Sequence, residues 1–203
     1  MQTKTMRLLI NLFFLVSLSS FSSTCDLTEI DSEVNREITS KFDRHDPNLW
    51  TDLETEFYHR LTDLGLKNSE TDSLKAFREL MIFVTESGYP KEFFIDKENP
   101  DIKKLISDLK LIGFDQGDES AHEFLYSLID PMLEDCTNRN ELLNPPRDML
   151  VAFGSTNPDS IGISYDLATL QFYKYYDVKD LERPGLYKSL LIFYFSRMMN
   201  EKK

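Results

Sequence analysis

The sequence predicts an all-α fold: a single-domain bundle of six or seven helices. Three observations predict it. Apolar residues recur at steps of three and four through most of the chain, the period of a helix with one buried face. Capping residues precede these stripes, and glycine or proline follows them. Near the C-terminus, Leu190 to Phe195 is apolar on every side, the pattern of a helix buried all round.

The first element precedes the bundle. Lys4 and Arg7 give a basic start, Leu8 to Leu18 is apolar apart from Asn11 and Ser17, and small residues follow. Basic, then apolar, then small is the order of a secretory signal peptide. The run is roughly 11 residues, short of the roughly 20 that a permanent membrane-spanning helix needs. Residues 1–24 therefore read as a signal peptide cleaved near 22–25, and 26–203 as one helical domain. Cleavage after Ser22 or after Thr24 leaves Cys25 in the mature chain, whereas a cut between Cys25 and Asp26, which Ser23 and Cys25 permit but do not favour, removes it.

Leu27, Ile30, Val34, Ile38 and Phe42 form the first amphipathic stripe. Asp46-Pro47 reads as an N-cap with proline at the first helical position. The stripe Trp50, Leu53, Phe57, Leu61 and Leu64 follows, ended by Gly65. Thr71 or Asp72 caps the next, with Leu74, Phe77, Leu80, Met81 and Val84, closed by Gly88 and Pro90. Asn99-Pro100 opens a fourth, with Ile102, Leu105, Ile106, Leu109 and Ile112, stopped by Gly113. Asp118 opens a fifth that runs through Phe124 and Leu128 to Cys136, with Pro131 as a kink or break. Ile161, Ile163 and Tyr165 alternate like one short strand near 160–165, whereas Asp166 with Leu167, Leu170 and Tyr173 reads as a helix over 166–176. Pro184-Gly185 leads into the last helix, with Arg197, Lys202 and Lys203 toward the end where a helix dipole favours cations.

Composition narrows the function classes. The 203-residue chain carries a formal net charge of −12. Residues 26–145 hold 28 acids and 13 bases, while residues 146–203 hold 7 and 8, together with 10 of the 25 aromatics. An acidic half and an aromatic-rich half result. Such a surface repels phosphate backbones, so nucleic acid is not an expected partner.

The spacings that resemble catalytic or metal motifs do not hold up on helical geometry. Glu56-x-x-His59 and Glu119-x-x-His122 have the spacing of di-iron bundle ligands. On a helical wheel, however, His59 falls opposite its apolar stripe, so the pair does not project inward. Ser107-x-x-Lys110 has none of the companion motifs that give Ser-x-x-Lys its chemistry. Asp115 to Ser120 lacks the order of a calcium loop. No cofactor is expected. A cluster of Tyr165, Tyr173, Tyr175 and Tyr176, beside Phe172, cannot face inward throughout on a helix and marks a candidate partner-binding surface.

Cys25 and Cys136 are the only cysteines. An oxidising compartment outside the cytoplasm would join them in one disulfide. Ser22-Ser23-Thr24-Cys25 also resembles a loose bacterial lipobox, which implies a lipid on Cys25 as the membrane attachment. It departs from that pattern at Ser22, where leucine is usual, and at Thr24, where a smaller residue is usual. The expected protein is thus exported, periplasmic or secreted, or anchored by lipid. It is read as a non-catalytic binder holding a protein partner through an acidic or aromatic surface. The alternative is an exported hydrolase using buried carboxylates. Intact-mass analysis of protein from its native host checks the first step: the mature chain begins at Ser23 or Cys25, and reduction raises its mass by about two daltons if the disulfide forms.

Overall fold

A computed structural model of the chain describes residues 27–114, 124, 173–174 and 176–199. Among the described residues the fold is all-α, with five α-helices and no strand. They are α1 (Leu27–Asp43), α2 (Leu49–Asp63), α3 (Ser73–Ser87), α4 (Pro100–Leu111) and α5 (Pro184–Met199). Short 3₁₀ turns occupy Lys91–Phe93 and Asp180–Glu182. The strand-or-helix segment at 160–165, most of the helix expected from Asp118, and both cysteines lie outside the described residues. Of the segment expected over 166–176, Tyr173 and Lys174 are helical.

Local chemistry explains the helix ends. Asp72 caps α3 by accepting from the Leu74 and Lys75 amides at 2.9 and 3.2 Å. Asn99 caps α4 through the Asp101 amide at 2.9 Å, with Pro100 at the first position. At the other end of α4, Gly113 takes a positive φ of 88°. Its amide donates to the Lys110 carbonyl, and the Phe114 amide donates back to Leu109. This paired closure needs a left-handed residue, which glycine supplies without steric cost. Gly65 ends α2 in the same way. The start of α2 differs from expectation by two residues. The N-cap is Asn48, not Asp46, and it makes no side-chain cap bond; the Asp46 carboxylate instead accepts from the Asn48 amide at 2.8 Å, and the Leu49 amide bonds three residues back to the Asp46 carbonyl. A tight first turn therefore precedes the α-helix proper, which begins at Leu49.

The stripes become the core. Val34, Ile38 and Phe42 of α1, Leu53, Phe57 and Leu61 of α2, Phe77, Leu80, Met81 and Val84 of α3, and Ile102, Leu105, Ile106 and Leu109 of α4 are all buried. Phe77 lies edge-on to Phe57 at 4.9 Å and to Tyr194 at 5.4 Å, joining α2, α3 and α5. In α5, twelve residues are buried, from Gly185 and Leu186 to Met198 and Met199. The helix read as apolar on all sides is buried on all sides.

The first residue of this helix, Pro184, is exposed, but Gly185 and Leu186 behind it are already buried. Their amides therefore need partners from elsewhere. Pro184 removes one donor. The next two amides, of Gly185 and Leu186, donate to the two carboxylate oxygens of Asp31 at 3.2 and 2.9 Å. Asp31 lies on α1 and is only 7% exposed. It performs an N-cap's work from another helix, and Arg183 Nε stands 3.7 Å from the same carboxylate. At the other end, the Ile95 amide donates to the Met198 carbonyl at 3.1 Å. Arg197 is held between the rings of Tyr89 and Phe94, at 4.9 and 5.0 Å from their centroids.

α1 approaches α5 so closely at this cap that a Cβ on Gly185 would sit 2.2 Å from the Asp31 carbonyl oxygen. That oxygen is backbone and cannot rotate away. Gly185→Ala is expected to cost about 1–3 kcal/mol through overpacking. Asp31→Ala should cost about 1–2 kcal/mol as a lost cap. Asp31→Asn, which keeps one acceptor oxygen, should cost less. Urea unfolding of the three variants at neutral pH checks the order.

Candidate functional site

α2 and α4 bury one face each and leave their flanks outside. On α2, Asp52, Thr55 and Glu56 flank the buried row Leu49, Leu53 and Phe57. On α4, Asp101, Lys104 and Asp108 flank Ile102, Leu105 and Leu109. Where the two flanks meet they line an open groove of about 300 Å³, with Ile102 and Leu105 as its apolar portion. Four carboxylates and one ammonium line it.

The carboxylates are not equivalent. Glu56 accepts from Arg60 Nε at 2.8 Å, and Arg60 Nη1 reaches Asp63 at 3.5 Å, so much of its charge is balanced within α2. Asp108 lies 3.8 Å from His45 Nε2. Asp52 and Asp101 stand in the first turns of their helices, where the backbone dipole favours a negative charge. Together the four acids give the groove an excess of acidic groups over its single lysine. His59 points outward, its side chain 63% exposed and 3.5 Å from Asp63, away from this groove's lining. Among the described residues no three His, Cys, Asp or Glu side chains gather as metal ligands.

A second polar cluster lies inside the bundle. Tyr187 of α5 donates its hydroxyl to the Glu54 carboxylate of α2. Its single proton being spent there, the Tyr58 hydroxyl 3.0 Å away is the donor to the Tyr187 oxygen. Next along α5, Lys188 Nζ donates to Thr39 Oγ1 at 2.5 Å and lies over the Trp50 ring at 5.0 Å. Thr39 in turn donates to the Asn35 carbonyl at 2.7 Å. Burial pushes the Tyr58 phenol up to about 12, with Glu54 and Asp72 adding to the rise against the hydrogen bond with Tyr187. Burial raises Tyr187 further, helped by Tyr58 and Glu54. Burial also lowers Lys188, opposed by Asp43 and Glu54.

The tyrosines singled out from sequence separate. Tyr173 is 37% exposed, and the Arg78 guanidinium lies over its ring at 4.4 Å while donating to its carbonyl at 3.0 Å. Tyr176 is 4% exposed and packs into the core. Tyr165, Tyr175, Cys25 and Cys136 fall outside the described residues, among which there is no disulfide. Of the groove acids only Glu56 was singled out from sequence, in the Glu56-x-x-His59 spacing and for a different chemistry; Asp52, Asp101 and Asp108 were not. Their only signal was the acid excess of residues 26–145. Asp31 did leave a trace: it falls four residues after Leu27 and three before Val34, an acid in register with an apolar stripe. No protein-family model, curated protein or solved structure matches the chain.

Both phenols are harder to ionise in the folded chain than the unfolded value near 10. Their contribution to stability is complete below pH 10 and is lost as pH rises through about 12. Lys188 acts in the opposite sense, since its folded value lies below the unfolded one: its penalty is present while it is charged and fades as pH rises. The two tyrosines dominate the balance. Urea unfolding at pH 8, 10 and 11.5 should show a steep alkaline loss of stability in the wild type. The Tyr58→Phe/Tyr187→Phe double variant should start less stable and lose less over the same range.

Proposed function

We propose that this chain is an exported, non-catalytic helical binding protein that holds a basic segment of a protein partner in the groove between α2 and α4. The observation that carries the reading is the groove itself, lined by Asp52, Glu56, Asp101 and Asp108 over an apolar portion from Ile102 and Leu105. An open acidic trough with apolar anchor points suits a lysine- or arginine-rich segment with interspersed apolar residues. Export rests on the signal-like order of residues 1–24, and lipid on Cys25 or a bond to Cys136 remains part of the proposal. The full bundle of six or seven helices, completed by 118–136 and 166–176, belongs to it as well.

The hydrolase alternative calls on buried carboxylates. Among the described residues Asp31 is the buried acid and Glu54 one of several half-buried ones, and these two are committed to holding α5. The aromatic surface contributes Tyr173, exposed beside Arg78.

Fluorescence anisotropy with a lysine-rich peptide carrying interspersed leucines tests the reading, with a glutamate-rich peptide of the same length as control. The basic peptide should bind, the acidic one should not, and added salt should weaken the complex. The variant Asp52→Asn/Asp101→Asn/Asp108→Asn should keep its circular dichroism spectrum and lose at least about tenfold in affinity, or about 1.4 kcal/mol. Tyr173→Ala should leave this peptide's affinity unchanged. Equal binding by wild type and triple variant would overturn the assignment of the groove.

A further inference from the structure

We draw no further inference here: the strongest candidate, the half-buried cluster of Glu54, Tyr58, Tyr187 and Lys188 where α5 meets α1 and α2, carries nothing more because its carboxylate, hydroxyls and ammonium are engaged in holding those helices together, and only the shifted ionisation of its members sets it apart.

Discussion

Burying α5 on all sides is the constraint on which the rest of the structure depends. A central apolar helix gains the most from leaving water, yet it takes its unpaired terminal amides and carbonyls with it. Each such group left unpartnered costs about 1–3 kcal/mol, enough to cancel the burial of a large side chain. The chain meets this at both ends with parts that are distant in sequence. Asp31 of α1 receives the Gly185 and Leu186 amides, and the Ile95 amide reaches the Met198 carbonyl. The positions of α1 and of the 89–95 segment follow from these two demands as much as from apolar contact.

A second consequence concerns rotation. An amphipathic helix knows which face to bury, whereas α5 is apolar around most of its circumference and gains about as much in any orientation. Something directional must choose. The first turns of α5 supply it: Asp31 beneath Gly185 and Leu186, Glu54 and Tyr58 on Tyr187, and Thr39 on Lys188. Turning α5 by a quarter would break every one of these contacts while leaving most of its apolar surface buried. Polar contacts that add little net stability can therefore still select one packing over others. Gly185 closes the remaining freedom, since only a residue without Cβ lets α1 come this near.

The same distinction decides how much was legible in the sequence. Local rules carried α1 through α4, because each has an apolar stripe, and α2, α3 and α4 also have a capping or turn-forming residue before them and a glycine after them, all acting within a few residues of one another. The start of α2 was misplaced by two residues, because Asp46 shapes the turn before the helix rather than capping the helix itself. The all-apolar run of α5 was equally plain. What joins distant residues was not legible. Glu54 looks like any acid on a helix flank until Tyr187 arrives from 133 residues away. Tyr176 looked available in a row of tyrosines, but burial depends on what packs over it. The groove required knowing that α2 and α4 lie side by side, which no spacing within either helix encodes. Asp31 left only a trace, an acid in register with the α1 stripe, and nothing in the sequence reading drew on it; its partners, the Gly185 and Leu186 amides, lie more than 150 residues away.

Charge and core are divided along the chain, and this bears on how the protein can work. The acid excess falls in residues 26–145, which supply the amphipathic helices of the outer layer, while residues 146–203 are nearly neutral and supply the buried helix. Packing is decided on the inner faces of α1 to α4, and the field is set on their outer flanks. Asp52 and Asp101 sit where helix dipoles stabilise them, so their mutual repulsion takes little from the fold. Exposed flank residues can then change with small effect on stability, whereas the same change at Asp31 or Gly185 disturbs the packing of α1 on α5. The proposed binding groove could therefore be altered without redesigning the core that carries it.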